Sequence, residues 1–140
     1  MKTKMKVKLD GARIPTRAHE TDAGLDLYSR EKVIIFPNES YIFDTGVHIE
    51  LPQNSVGLLK SKSGLWTKYN ITSGEGVVDE GYTGSIRVKL VNHGNEPYMV
   101  NKGDKISQLV ILPILKPELE VVDSLEETER GSKGFGSSGK

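Results

Sequence analysis

Apolar residues in this chain recur at every second position, in short runs that keep stopping at proline, glycine or asparagine. Met5, Val7 and Leu9 alternate with Lys4, Lys6 and Lys8. Val47, Ile49 and Leu51 alternate with His48 and Glu50, and Ile86, Val88 and Leu90 with Arg87 and Lys89. A period of two sends successive side chains to opposite faces, so each run reads as a half-buried strand. Further strand candidates are Val33-Ile34-Ile35-Phe36, stopped by Pro37, and residues 106–112, ended by Pro113. Val56-Gly57-Leu58-Leu59 is a return strand after an expected hairpin turn at Pro52-Gln53-Asn54, and Leu119 with Val121 makes one more. Only residues 65–70 suit a helix, a short one packed by Trp66 and Tyr69. The expected fold is an all-β sandwich or barrel. From Leu125 onward the alternation stops. This predicts a β-barrel domain over 1–124 and an extended C-terminal arm over 125–140.

One domain is what 140 residues suggest. An apolar content of 36% is thin, which favours added burial in an oligomer. Nineteen basic residues cancel nineteen acidic ones, so the basic footprint of a nucleic-acid binder is missing. With no cysteine, disulfide frameworks and thiolate metal sites are excluded. No apolar run is long enough for a membrane-spanning helix, and no apolar stretch follows Met1-Lys2-Thr3-Lys4 as a signal peptide requires. The expected location is the cytoplasm.

Five segments carry chemistry. In Ala23-Gly24-Leu25-Asp26-Leu27 the aspartate points away from its leucine neighbours, as a surface carboxylate or a site residue. Lys60-Ser61-Lys62-Ser63-Gly64-Leu65 puts cations, hydroxyls and a glycine before the short helix; it suits a phosphate, or Ser63 is simply an N-cap. Gly74-Glu75-Gly76-Val77-Val78-Asp79-Glu80-Gly81-Tyr82-Thr83-Gly84 flanks two valines with glycines, as in a strand that lets a ligand approach its backbone, or as plain turn chemistry. Asp79 beside a water can act as general base. Gly103-Asp104-Lys105-Ile106-Ser107-Gln108 is a turn feeding a strand, with Gln108 able to hold a phosphate or a metal-bound water.

The fifth segment is the end of the chain, Arg130-Gly131-Ser132-Lys133-Gly134-Phe135-Gly136-Ser137-Ser138-Gly139-Lys140. Glycines let successive N–H groups face an anion, cations and hydroxyls add to the cradle, and one aromatic face suits a nucleobase. A flexible Gly/Ser tail is the plain alternative. His19, His48 and His93 show no metal-ligand spacing and read as surface or strand residues.

In this order and spacing the five segments resemble the trimeric dUTP pyrophosphatase (dUTPase) family, in the short form of bacterial and phage members. The resemblance runs from the Ala23 segment to Gly139 and is strongest in Gly76-Val77-Val78-Asp79-x-x-Tyr82-x-Gly84 and Gly134-Phe135-Gly136-Ser137-Ser138-Gly139. It implies a distorted jelly-roll (β-clip) barrel with a flexible C-terminal arm, a homotrimer with shared active sites, and hydrolysis of dUTP to dUMP and pyrophosphate with Mg2+. Asp79 would activate water. Gly76, Val77, Val78 and Arg87, on a hairpin, would read uracil. Tyr82 would sit under the deoxyribose, and Phe135 would stack on the base. Lys62, Ser63, Gly64 and Gln108 would hold phosphates, as would Arg130, Gly136, Ser137 and Ser138 from the arm. Asp26 would reach magnesium through water. The family usually has arginine where Lys62 stands, which keeps the charge and loses bidentate geometry. Lys133 and Ser138 replace a glycine and a threonine of the usual tail. The rival readings are a related dCTP deaminase (though no cysteine is present for its zinc-type form) and a non-catalytic nucleotide sensor with a regulatory protein partner. The cytoplasm of a host cell is implied if the chain is phage-encoded.

Overall fold

A computed structural model describes residues 3–139; Met1, Lys2 and Lys140 lie outside it. The chain is nearly all β, with one short helix, α1 (Ser63–Tyr69). The strands are β1 (Lys6–Leu9), β2 (Gly24–Tyr28), β3 (Val33–Ile35), β4 (Ser40–Asp44), β5 (Val47–Glu50), β6 (Ser55–Lys60), β7 (Ile71–Ser73), β8 (Gly76–Val78), β9 (Arg87–Asn92), β10 (Tyr98–Val100) and β11 (Lys105–Pro113). All ladders are antiparallel. The largest sheet runs β2-β11-β6-β8, a second runs β4-β9-β7, and the pairs β1-β5 and β3-β10 complete the barrel.

Alternation works where a strand has one face on the core. In β9, Val88, Leu90 and Asn92 are buried while Arg87 and Lys89 face solvent. They pack with Leu27, Ile35, Phe43, Val47, Ile71, Ile106 and Leu109. Asn92 is polar yet fully buried, and each of its groups is bonded. Its Nδ2 donates to Ile35 O and Glu96 O at 2.9 and 2.8 Å, and its Oδ1 accepts from Gly94 N at 2.9 Å.

Several expectations are corrected. Residues β1 presents are all exposed, Val7 and Leu9 included, because β1 pairs only with β5 at the rim. The Pro52-Gln53-Asn54 turn forms, with Asn54 at φ 59°, but it does not make a hairpin. β5 pairs with β1, and β6 with β11 and β8. Residues 76–87 are likewise no hairpin: β8 belongs to the large sheet and β9 to the second. Helix α1 starts at Ser63 and buries no residue; Trp66 and Tyr69 are half-exposed, and Trp66 meets only the edge of His93 while Tyr69 tilts against Tyr98. Its N-cap is Lys62, without a side-chain cap bond, so Ser63 is not the cap. Leu119 and Val121 form no strand and are fully exposed, because β11 ends the sheet at Pro113.

Candidate active site

Apart from those on the C-terminal arm, the residues selected from the sequence gather in two groups at the largest sheet and the segments beside it. The first surrounds a cavity of about 250 Å³ lined by Gly76, Val77, Val78, Asp79, Tyr82 and Arg87. Two core residues, Leu59 and Ile86, complete its wall. They carry no chemical signal in the sequence; only the β6-β8 pairing, Leu59 opposite Gly76, brings Leu59 there. A methyl group on Gly76 would meet Leu59 Cδ1 at 2.8 Å, so the glycine is what lets these strands close.

Asp79 and Tyr82 stand on the loop 79–86, which folds back on itself. Tyr82 N donates to Asp79 O at 3.0 Å, and the Tyr82 hydroxyl donates to Ser85 O at 2.9 Å. Gly84 lies under the ring: a Cβ there would sit 2.6 Å from the tyrosine oxygen. The loop is anchored from behind. Ile86 N donates to Val47 O at 2.9 Å, and Thr45 Oγ1 donates to Ile86 O at 2.7 Å. Ser85 Oγ donates to Asp44 Oδ1, which also accepts from Gly46 N at 3.2 Å. The Ser85 hydroxyl first, then the Gly46 amide, hold the Asp44 carboxyl below the usual carboxylate range.

The second group lies where β2, β11 and the end of β6 meet. Asp26 is buried, not a surface residue. Its Oδ1 faces Lys62 Nζ in a close ion pair, and its Oδ2 faces Lys105 Nζ at 3.1 Å. Gln108 stands opposite both Asp26 of β2 and Lys60 of β6, and a bulge between Lys105 and Ser107 then sets Lys105 opposite Tyr28. Directly opposed residues share a face. Gln108 Nε2 donates to Ser61 O at 3.0 Å, and its side chain covers Gly24, where a Cβ would clash with Oε1 at 2.0 Å. Nothing in the sequence pattern gives Lys105 or Ser107 a role; the buried Ser107 hydroxyl donates to Lys60 O at 2.9 Å and fastens the same junction. A groove of about 560 Å³ opens beside Ser61, Ser73 and Gln108. Ser63 and Gly64 are exposed in the first turn of α1.

This donor set does not fit a metal ion held directly by the protein. Both Asp26 oxygens face ammonium groups, and among the described residues no three His, Asp or Glu side chains gather as a metal site would require.

The arm residues stay apart from both groups. Arg130 Nε donates to Lys133 O at 2.9 Å, and turns close from Ser137 N to Gly134 O and from Gly139 N to Gly136 O. Gly131, Gly136 and Gly139 have positive φ, and Phe135 is fully exposed. Ser138 is exposed too.

Comparison with known proteins gives the family. The dUTPase family model matches residues 10–139. The chain is 44% identical over 139 residues to the deoxyuridine 5'-triphosphate nucleotidohydrolase of Clostridium tetani, covering 98% of this chain and 96% of that one. It is 48% identical to the protein of the same name from Gloeothece citriformis, covering 97% of both. Among solved structures, the Staphylococcus bacteriophage 80alpha dUTPase with dUPNHPP superposes with a TM-score of 0.93 at 36% identity, over 99% of this chain and 100% of that one. That work describes phage dUTPases as controlling transfer of virulence genes. The dUTPase of phage phi11 of S. aureus, in a structure showing the coordination of a structural Mg(II) ion, matches at 0.84 and 33% identity, over 89% of this chain and 100% of that one. The fold is the jelly-roll-like β fold of these enzymes, and the chain belongs to the dUTPase family.

Proposed function

We propose that the protein hydrolyses dUTP to dUMP and pyrophosphate. The observation that carries this reading is the single cavity shared by residues 76–78, Asp79, Tyr82 and Arg87, matched to the family over 10–139. Backbone groups of Gly76, Val77 and Val78 read the uracil, with Arg87 at the pocket edge. Tyr82 packs under the deoxyribose and leaves no room for a 2'-hydroxyl. Asp79 accepts a proton from a water whose oxygen attacks the α-phosphorus in line. The bond from that phosphorus to the α,β-bridging oxygen breaks, and pyrophosphate leaves.

Lys62, Ser63, Gly64 and Gln108 hold the phosphates, and Lys105 adds charge at the same place. Asp26 would hold magnesium only through water, and the ion when bound would supply charge neutralisation for the phosphates. The arm, residues 125–140, supplies Arg130, Gly136, Ser137 and Ser138 to the phosphates and Phe135 to the base. The two site groups and the arm lie apart in one chain, which supports a homotrimer with sites built between copies.

A nucleotide panel assayed for pyrophosphate, with and without a chelator, tests the reading. Preference for dUTP over dTTP, dCTP and UTP, lost on chelation, is the expected result. Ammonia from dCTP would favour a deaminase, and binding without turnover a nucleotide sensor.

A further inference from the structure

His48 is set in β5, outside the cavity, and its ring spans two elements. Its Nδ1 lies 2.7 Å from Thr83 O on the loop 79–86, and its Nε2 lies 2.8 Å from Asp10 Oδ2 just after β1. A backbone carbonyl can only accept a hydrogen bond, so Nδ1 carries a proton. The Asp10 side chain is half-exposed, with the Lys8 ammonium 3.9 Å from its other oxygen, and as a carboxylate it too can only accept. To bond Asp10 at the same time, Nε2 must carry a proton as well. A neutral ring has one N–H and serves one of these partners; the ring that serves both is the imidazolium. Both distances lie within the range of charge-assisted bonds.

The base of this strut is rigid. Asp10 N donates to Gly46 O at 2.9 Å, and Arg30 Nη1 donates to Asp10 O at 2.8 Å. Arg30 also reaches Asp44, which holds Ser85 on the far side of the loop. The charges around His48 are balanced: Lys8 is its cross-strand partner, Lys6 and Glu50 pair at 3.3 Å on the same face, and Arg30 and Asp44 stand behind Asp10. Thr83 follows Tyr82 directly, so a shift of the Thr83 carbonyl moves the residue that packs the sugar.

We propose that His48 is a positioning residue for the loop 79–86, a charged strut whose two ring protons fix Thr83 and thereby Tyr82. This rests on the hydrolase reading for Tyr82 and Asp79. A ring with one proton leaves an acceptor facing an acceptor, releases Thr83 and weakens substrate binding.

The test compares wild type, His48→Leu and His48→Lys in dUTP hydrolysis from about pH 5.5 to 9, the range in which imidazole can change charge. In the wild type, KM is expected to rise with pH while kcat follows the profile of the catalytic base. In His48→Leu, KM should be raised about tenfold at the acid end and lose its pH dependence, as fits the loss of one charged hydrogen bond. His48→Lys keeps a cation with several donors and should hold KM low across the range. Superimposable KM profiles in wild type and His48→Lys would overturn the proposal, as would a His48→Leu profile equal to wild type. If His48→Leu does not fold, the wild type and lysine comparison decides alone. Should the wild type release no pyrophosphate from dUTP at any pH, the hydrolase reading falls. The strut is then judged by amide hydrogen exchange over residues 82–85, expected to be faster in His48→Leu than in His48→Lys at one pH; equal rates reject it.

Discussion

Asp79 and Gly84 show how single positions on one loop divide the chemistry. Asp79 lines the cavity and is exposed, which in the proposed reaction lets a water meet both carboxylate and phosphate. Asp79→Asn is expected to bind dUTP with near-normal affinity and turn it over at least ~100-fold more slowly, the scale of a lost general base. Pyrophosphate release beside calorimetric titration checks this. Gly84→Ala drives a methyl group to 2.6 Å from the Tyr82 oxygen, so the ring must turn away. The expected outcome is a smaller kcat/KM ratio between dUTP and UTP, measured with both nucleotides in the same assay. Asp26 is the residue where sequence and structure part most. An aspartate between two leucines faces away from them, and that much was legible. That its face is buried between two lysines was not, because the lysines arrive from β11 and the β6–α1 junction. Replacing both Lys62 and Lys105 by Met leaves a buried carboxylate without a partner, at a cost of about 3–5 kcal/mol. Adding Asp26→Leu should restore most of that stability in urea unfolding, since a buried ion set and a packed apolar set are often equivalent.

At the level of elements, the register of β11 sets Gln108 between Asp26 and Lys60, where the proposed reading has the phosphates. A one-residue slip of β11 would turn Gln108 to the other face, away from Asp26 and Lys60. The plain alternation over residues 106–112 gave the strand and missed the bulge, since Ile106 and Ser107 are buried in succession. The loop 79–86 shows the same limit. Its turn residues were evident, but its anchors at Thr45, Gly46 and Asp44 belong to a distant segment. These anchors also set an acid limit. Asp44 is held below its ordinary 3.8, chiefly by Ser85, and Glu80 below its ordinary 4.5, chiefly by Lys116. A carboxyl depressed by folding contributes stability above its unfolded value and loses it as pH falls through the folded value. Thermal unfolding should therefore show stability falling from about pH 4.5 downward. Ser85→Ala should make that decline shallower, by a small margin because Asp44 is half in solvent.

For the whole molecule, the barrel and the arm have different physics. Among the described residues, the last backbone bond to the barrel is Ile114 N to Asn54 O at 2.9 Å, and the Lys116 ammonium still pairs with Glu80. Beyond that, Leu115, Leu119, Val121 and Leu125 are 86–97% exposed, a row of apolar side chains that a lone protomer leaves in water. Deleting residues 130–140 is expected to leave the melting temperature within a few degrees of the full chain while kcat/KM for dUTP collapses. A large drop in melting temperature would make the tail a structural strap. Ordering a glycine-rich segment costs about 1–2 kcal/mol per residue in backbone entropy, so the proposed closure of the arm would need a bound ligand to offset it.

Local patterns were enough to establish the β class, the turns and the five polar segments, because alternation and turn chemistry are properties of neighbouring residues. The family, too, was legible in the order and spacing of those segments. Tertiary structure alone chose the partners: β5 with β1 instead of β6, Gln108 opposite Asp26, Leu59 and Ile86 behind the cavity, His48 on Thr83. A strand's apolar face says that it must be covered, and hydrogen-bonding edges are alike in every strand. Which edge meets which is settled only when all the faces are buried together.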